Sequence, residues 1–313
     1  MSSGSIITIT MNPAIDKSAV VDKIIPEAKL RCSSVKNEPG GGGINVSKAL
    51  GRLGMDSLAV FTAGGHNGNM LQDLVSQQKI AFQVITVDAE TRENFIVLET
   101  STNKQYRFNI PASSVNSSAV RDCLAVLRNL KTKPSFVIAS GSLPNGIPEN
   151  FYVDVAKWAT SINAKFILDT SGEPLQLAAN EKVFLLKPNL SELRQLAGRA
   201  ELSKEDAVAA AQQLICTRDC EVIVVSLGAE GALLVTKDLH QFIAAPNVKK
   251  QSTVGAGDSM VAGMVYMLSQ HKTLQEMIRF GVACGTAATM NPGTELFHIA
   301  DANKLYEQIN SIL

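Results

Sequence analysis

One segment combines an anion-binding backbone with a carboxylate. Residues 252–258 read Ser-Thr-Val-Gly-Ala-Gly-Asp and run directly into an apolar helical pattern. At a helix start, the amides of Gly255, Ala256 and Gly257 would present N–H groups and the positive end of the helix dipole to an anion. Asp258 adds a negative charge there, which suits a proton acceptor for an attacking hydroxyl. Asp is also a common helix cap, and this segment alone leaves both interpretations open.

A run of four glycines precedes a second helical pattern. Residues 39–45 read Pro-Gly-Gly-Gly-Gly-Ile-Asn. Successive glycines let the backbone approach a ligand closely, and Asn45 could hold a hydroxyl group. The run is not a dinucleotide fingerprint, because position 45 is Asn, and no Gly-Lys-Ser/Thr follows to make a Walker loop. A flexible linker is the alternative, but the regular helical pattern over residues 44–53 disfavours it.

Two further segments place polar groups directly after apolar runs. Residues 187–192 read Lys-Pro-Asn-Leu-Ser-Glu, and an amide with a carboxylate at Asn189 and Glu192 suits Mg²⁺ held largely through water. A helix capping box would have the same spacing. Residues 226–231 read Ser-Leu-Gly-Ala-Glu-Gly, which could embrace a nucleotide or form an ordinary hairpin turn.

Arg92 and Arg107 lie near two segments with strand-like alternation. Together they could clamp a phosphate, and each by itself could equally be a solvated charge on an edge strand. The four histidines are scattered along the chain, so a histidine triad or a histidine metal site is not expected.

The elements that would position these groups alternate between strand and helix. The first strand covers residues 6–11 and ends at Asn12-Pro13. Further β-rich runs follow at residues 58–61, 136–139, 166–168, 183–186 and 222–225. Amphipathic stretches follow at residues 70–77, 120–130, 151–160, 191–196 and 206–215, and the last third is helical at 260–269, 274–289 and 302–312. This order predicts an α/β fold, with a mainly parallel sheet flanked by helices and ligands beyond the carboxyl ends of its strands.

Two segments break this rhythm. Residues 16–37 and 94–110 alternate like strands but have no helix between them. They predict a small antiparallel sheet that protrudes from a single domain spanning residues 1–313 and serves as a lid or a dimer surface.

Composition narrows the class of function. The 313 residues are 45% hydrophobic, and 29 Lys+Arg balance 29 Asp+Glu, so neither a nucleic-acid partner nor an anionic membrane is expected. No apolar run approaches the roughly 20 residues of a membrane span, and no charged-then-apolar leader opens the chain. Five cysteines without pairing spacing indicate buried or inert thiols in a reducing compartment, the cytoplasm. A nicotinamide-dependent dehydrogenase would need a GxGxxG after the first strand, and that motif is absent.

Taken together, the motifs resemble the ribokinase-like (PfkB) family of sugar kinases. They are NPAID at 12–16, GGGGINV at 40–46, SGSLPNG at 140–146, KPNLSE at 187–192, SLGAEG at 226–231 and STVGAGDSMVAG at 252–263. Within the family, EAKLRC at 27–32, QYRF at 105–108 and the absence of lysine at Gly42 are similar to the 6-phosphofructokinase branch. The resemblance implies a ribokinase-like fold and phosphorylation of fructose 6-phosphate at its C1 hydroxyl by MgATP, with fructose 1,6-bisphosphate as the product.

The resemblance also implies roles for residues on the sugar side. Asp258 would be the general base, and the N–H groups of Gly255, Ala256 and Gly257 would stabilise charge on the transferring phosphoryl group. The sugar would be held by Asp16, Gly41, Gly42, Gly43, Asn45 and Ser142. Its phosphate would be bound by Arg92 and Arg107, with Arg31 reaching in from a partner's lid.

On the nucleotide side the implied roles are as follows. The residues lining the ATP site would be Lys187, Asn189, Ser226, Gly228, Gly231, Ser252 and Val254. Lys29 would reach the nucleotide bound in a neighbouring subunit. Glu192 would organise Mg²⁺. Some members also bind K⁺, and the matching positions are Ser252, Val254, Ala288, Asn291 and Gly293. Glu295 and Lys250 depart from the relatives' arginine and serine, which leaves K⁺ dependence open.

Two alternative functions remain open, and so does the oligomeric state. A sister enzyme acting on tagatose 6-phosphate or fructose 1-phosphate would use the same machinery. A catalytically silent sugar- or nucleotide-binding module would share the fold, although the presence of Asp258 with Glu192 favours an enzyme. The lid is expected to form a homodimer, and a tetramer is also open.

Overall fold

Most strands form one large sheet. In the computed structural model, which describes residues 5–312, nine strands pair side by side. Six neighbouring pairs are parallel, and the two pairs at one edge are antiparallel. In order across the sheet they are β13 (His240–Ala244), β12 (Gly231–Val235), β11 (Cys220–Ser226), β10 (Val183–Leu186), β9 (Lys165–Asp169), β8 (Phe136–Ser140), β1 (Ile6–Thr10), β4 (Leu58–Ala63) and β5 (Ala81–Thr86).

Helices cover both faces of this sheet. They are α1 (Gly42–Arg52), α2 (Gly65–Gln77), α3 (Ser118–Arg128), α4 (Phe151–Ser161), α5 (Gly172–Ala178), α6 (Leu190–Leu196), α7 (Ala207–Thr217), α8 (Ala256–Ser269), α9 (Leu274–Ala288) and α10 (Ile299–Ile312). Alternate residues of the strands contribute to two large cores: Ile6 packs on the side of α1, α8 and α9, and Ile7 on the side of α3, α4 and α7. Because both faces are covered, β1 and β8 are buried along their whole length, as their unbroken apolar runs predict.

Four strands form the lid. They are β2 (Ala14–Val21), β3 (Ser33–Gly40), β6 (Arg92–Glu99) and β7 (Lys104–Asn109), paired in the order β3-β2-β6-β7. The two outer pairs are antiparallel, as expected, but the central pair β2–β6 is parallel. Both of these strands start at the large sheet, where Ala14 lies opposite Arg92, and run outward side by side, so their directions agree.

The structure confirms the predicted strands and helices and adds elements that their patterns conceal. β5 was not predicted, because it lies at the edge of the sheet, with three exposed residues among six. α2 begins five residues before the predicted Met70, since the Glu90 carboxylate accepts hydrogen bonds from the N–H groups of His66 and Asn67 in its first turn. α5 is too short to show a clear helical period.

All five cysteines are free thiols. Cys123, Cys220 and Cys284 are buried, whereas Cys32 and Cys216 are exposed, so the expectation of buried thiols holds for three of them. Within residues 5–312, no helix has the length and apolar character needed to cross a membrane.

Candidate active site

Two helix starts meet at the centre of the site. The Asn45 amide, in the first turn of α1, donates a hydrogen bond to Oδ2 of Asp258, in the first turn of α8, across 2.9 Å. Among residues 5–312, no side chain caps the N-terminus of α8, so Asp258 does not cap its own helix. The capping interpretation of Asp258 is therefore wrong for the described conformation, and its role as a proton acceptor stays a prediction.

The backbone at the start of α8 is compatible with the predicted anion hole. Gly255 adopts a left-handed φ of 72°, and a Cβ on it would lie 2.4 Å from the Leu296 side chain, so only glycine fits. The first N–H groups of a helix lack intrahelical acceptors, so those of Ala256 and Gly257 are free to bind an anion.

The pKa of Asp258 is raised to about 7, chiefly by burial. The negative charges of Asp169 and Asp16 contribute to this rise, while the hydrogen bond from Asn45 and the charge of Lys187 oppose it. A carboxyl group that titrates near neutral pH suits a general base, because it can both accept and release a proton.

A buried ion pair, Lys187 with Asp169, stands beside this helix start. The Lys187 ammonium lies 3.0 Å from Oδ1 of Asp169, and a Cβ on Gly257 would lie 3.4 Å from the ammonium. Burial lowers the pKa of Lys187, but Asp169, together with Asp258 and Glu192, more than compensates, so the net shift is upward and the side chain stays positively charged. Asp169 is not among the residues predicted from the sequence, although its carboxylate directly follows the apolar run 166–168 and was a signal for it.

Asn189 and Glu192 form a capping box. Oδ1 of Asn189 accepts a hydrogen bond from the Glu192 N–H at 2.9 Å, and Oε2 of Glu192 accepts one from the Asn189 N–H at 2.8 Å. The interpretation of residues 187–192 as a helix capping box is therefore correct for the described conformation. Glu192 nevertheless lines the same cavity of about 300 Å³ as Asp169 and Asp258, and burial raises its pKa.

These carboxylates suit a loosely held Mg²⁺ rather than a fully coordinated metal. Among residues 5–312, no three His, Cys, Asp or Glu side chains come together as a metal site. Mg²⁺ commonly keeps several waters and takes only one or two protein carboxylates beside substrate phosphates. Asp169 and Glu192 supply such a pair.

A second cavity opens beside the β11–β12 connection. It has a volume of about 470 Å³, and Ser226, Gly228 and Gly231 line one wall while α8 and α9 line the other. The connection is also a hairpin turn, since β11 and β12 are antiparallel. Asn189 pairs with Ser226 and brings the loop after β10 next to this cavity. The predicted ATP-lining residues of these two loops therefore converge.

On the lid side, Asp16 and Arg92 share a hydrogen-bonded cluster. Asp16 is buried and accepts a hydrogen bond from the Asn94 amide at 2.7 Å, and its burial raises its pKa. Arg92 donates to the side chain of Asn94 at 2.8 Å and to that of Asn12 at 3.0 Å. Asn12 and Asn94 were not predicted, although Asn12 belongs to the NPAID motif.

Arg107 bridges the lid and the anion-binding loop, residues 252–258. Its guanidinium donates a hydrogen bond to Oγ1 of Thr253 at 2.6 Å while its Nε bonds to Gln105. Both arginines therefore bond to neutral groups, which an anionic ligand could replace. Lys29 and Arg31 are exposed at the tip of the lid, between β2 and β3, and their roles in a neighbouring subunit stay predictions.

The glycine run packs tightly onto the end of the large sheet. A Cβ on Gly42 would lie 2.2 Å from the Ser140 hydroxyl, and one on Gly43 would lie 2.8 Å from the Ile9 carbonyl. Gly42 lines the 300 Å³ cavity with Ser142, whose hydroxyl accepts from Asn12. Gly43 is buried, so its lack of a side chain serves packing, and the sugar-binding roles of Gly41 and Gly43 stay predictions.

The positions matched to a K⁺ site gather at the end of α9. The Ser252 hydroxyl donates a hydrogen bond to the Gly293 carbonyl at 2.7 Å, and the Asn291 N–H bonds to the Ala288 carbonyl. The Val254 N–H donates to the Ser252 hydroxyl. Helix carboxyl ends favour cations, but these carbonyls accept bonds from the protein here, and K⁺ binding stays a prediction.

Comparison with known proteins places this geometry in a family. The family model described as pfkB family carbohydrate kinase matches residues 5–299. The chain is 42% identical over 303 residues to the ATP-dependent 6-phosphofructokinase isozyme 2 of Mycobacterium tuberculosis, covering 96% of this chain and 89% of that protein.

Two solved structures of phosphofructokinase-2 from Escherichia coli are similar throughout. The complex with potassium has a TM-score of 0.92 and 37% sequence identity, covering 98% of this chain and 99% of the other. The complex with fructose-6-phosphate has a TM-score of 0.91 and 36% identity at the same coverage. The fold is therefore ribokinase-like, and the chain belongs to the pfkB family of carbohydrate kinases.

Proposed function

We propose that the protein is a 6-phosphofructokinase, which transfers the γ-phosphoryl group of MgATP to the C1 hydroxyl of fructose 6-phosphate. The observation that carries the proposal is the Asn45–Asp258 contact at the junction of two helix starts. It places a carboxylate with a pKa of about 7 directly beside the anion-binding backbone.

Asp258 accepts the proton of the C1 hydroxyl as the hydroxyl oxygen attacks the γ-phosphorus in line. Asn45 holds Oδ2 of the carboxylate, which leaves Oδ1 for the hydroxyl. The P–O bond to ADP breaks as the new bond forms. The N–H groups of Gly255, Ala256 and Gly257 then stabilise charge on the transferring phosphoryl group.

The lid supplies recognition of the sugar phosphate. Asp16, fixed by Asn94, and the glycine run at 41–43 hold sugar hydroxyls, with Ser142 at the edge of the cavity. Arg92 and Arg107 exchange their bonds to neutral amides and to Thr253 for charge-assisted bonds to the phosphate, which are stronger.

The 470 Å³ cavity receives the nucleoside of ATP, with its phosphates directed toward Lys187 and the start of α8. Glu192, with Asp169, would hold Mg²⁺ through water, where the ion would supply positive charge to the phosphates of ATP. The positively charged Lys187 does the same from the protein side.

The proposal also includes the oligomeric state and the location of the protein. Phe95, Tyr106 and Phe108 are exposed on the lid, and their burial against a second lid would form the homodimer. The free thiols, two of them exposed, fit a reducing compartment, so we place the protein in the cytoplasm.

The test is release of ADP with MgATP and, in parallel, fructose 6-phosphate, fructose 1-phosphate and tagatose 6-phosphate. We expect the highest kcat/KM with fructose 6-phosphate. A preference for either other sugar phosphate would keep the mechanism and overturn the substrate. No turnover of any of them by the folded protein would favour the silent binding module.

A further inference from the structure

One buried lysine is not used by the mechanism above. Lys48 lies one turn after Asn45 on α1, and its side chain is only 2% exposed. In the described part of the chain, its ammonium has no hydrogen-bond acceptor within reach. A buried ammonium is costly unless an opposite charge compensates it, so its position calls for an explanation.

The nearest charge is Glu38, at the base of the lid. Oε1 of Glu38 lies 3.8 Å from the Lys48 ammonium. On the neighbouring strand, Asp16 lies directly opposite Glu38, so two carboxylates of the lid base stand side by side. Burial lowers the pKa of Lys48, while the negative charges of Glu38 and Asp16 oppose this shift, so the two carboxylates favour the charged form of the lysine.

The second oxygen of Glu38 reaches a loop of the large domain. Oε2 of Glu38 accepts a hydrogen bond from the hydroxyl of Thr294, which is fully buried. Thr294 belongs to the loop of residues 291–296, between α9 and α10. Glu38 thus joins the lid to this loop.

The same loop supports the anion hole. The Gly293 carbonyl accepts from the Ser252 hydroxyl at 2.7 Å, and the Leu296 side chain fills the space in front of Gly255. Loop 291–296 therefore contacts the lid base on one side and the anion-binding loop on the other.

From these contacts we propose that Lys48 is a positioning residue for phosphoryl transfer. By neutralising Glu38 it keeps the Glu38–Thr294 bond in place, and through loop 291–296 it couples the position of the lid to that of the anion hole. The inference rests on the proposed function, because its effect is read in transfer to the sugar phosphate. A lysine that only fills space would change stability without changing turnover.

The experiment is a double-mutant cycle on Lys48→Met and Glu38→Gln. Methionine keeps the length of the side chain without its charge, and glutamine keeps an acceptor for Thr294. We expect Lys48→Met to lower kcat with fructose 6-phosphate by about tenfold or more, because small displacements of catalytic groups have effects of this size or larger. Adding Glu38→Gln should restore kcat to within about threefold of the wild type, since the uncompensated carboxylate is then gone.

Two further variants locate the effect. Thr294→Val should lower kcat as Lys48→Met does, and combining the two should cause no further loss. Lys304→Met, which removes an exposed lysine of α10, is the matched control and should leave kcat and both KM values unchanged. Wild-type kcat in Lys48→Met, or losses that simply multiply in the double variants, would overturn the proposal.

The Lys48→Met variant could fail to fold, and a second comparison then replaces it. If Lys48→Met is unstable, Glu38→Gln is compared with the double variant, and the double variant should be the more active. Equal activities of these two proteins would overturn the coupling. Inactivity of the wild type would instead overturn the proposed function. The double-mutant cycle would then be measured on the free energy of unfolding. Additive effects of the two substitutions on that free energy would reject the Lys48–Glu38 coupling.

Discussion

The large sheet and the lid hold their functional groups in different ways. Around the large sheet, Asp258 and Lys187 are held by an amide and by an opposite charge, and apolar cores lie directly behind them. On the lid, and within residues 5–312, Arg92 and Arg107 bond only to neutral side chains and a backbone carbonyl, and much of the surface around Arg107 is exposed. Under the proposed function, chemistry thus belongs to the groups that are held by charge and burial, and recognition of the sugar phosphate belongs to the groups that can exchange their partners.

The largest expected effect comes from Asp258→Asn, on the rigid side. Asparagine keeps the size of the side chain and a partner for Asn45 but cannot accept the proton. We expect kcat to fall by about 10² or more with little change in KM for either substrate. Steady-state kinetics with both substrates varied will measure this. Near-wild-type turnover would remove Asp258 as the base.

Arg107→Ala tests the lid side of the comparison. Loss of the guanidinium removes a charge-assisted bond to the sugar phosphate, so KM for fructose 6-phosphate should rise about tenfold or more, with kcat less affected. Lys104→Ala is the control, because it lies on the same strand but on its opposite face. An unchanged KM in Arg107→Ala would place the phosphate site elsewhere.

A third prediction concerns pH. Since Asp258 must be deprotonated to act, kcat/KM should rise with pH and level off above about pH 7. Initial rates at low substrate concentration, measured from about pH 5.5 to about pH 8.5, will test this rise of kcat/KM with pH. A profile that stays flat over this range would exclude a base of this pKa.

A fourth prediction concerns the exposed apolar surface of the lid. Phe108→Asp should shift the protein from dimer toward monomer, because a charge would be buried in the lid interface. Phe242→Asp is the control, since Phe242 is exposed to a similar extent, 50% against 55%, but lies on β13 of the large sheet. Light scattering after size exclusion measures both. A dimer that survives Phe108→Asp would place the interface away from this residue.

The smallest expected effect is on stability. The pKa of Asp258 is raised on folding, so its contribution to the free energy of unfolding is full at acid pH and is lost as pH rises through about 7. Relative to the wild type, Asp258→Asn should therefore gain about 1–2 kcal/mol between pH 5 and pH 8, less than the full shift implies because the site is partly open to solvent. Urea unfolding of both proteins at the two pH values measures this. If the difference in the free energy of unfolding is the same at both pH values, burial does not raise the pKa of Asp258 on folding.

Much of the large domain was predictable from local patterns. Apolar runs marked β1, β8, β9, β10 and β11 because a strand that is covered on both faces needs apolar residues throughout. β5 escaped because an edge strand is only partly covered, and the direction of β2 relative to β6 escaped because strand pairing is not a local property.

The family, the α/β order of elements and the two glycine segments follow from the sequence alone, because backbone conformation and close packing restrict which residues can stand in those segments. It also singled out Asp258, Asn45, Lys187 and Glu192. Three contacts become visible only in the folded chain: Asn45 holds Asp258, Asp169 pairs with Lys187 and Lys48 faces Glu38. Contacts between residues far apart in the chain depend on how the strands and helices pack. The same packing sets the burial that raises the pKa of Asp258.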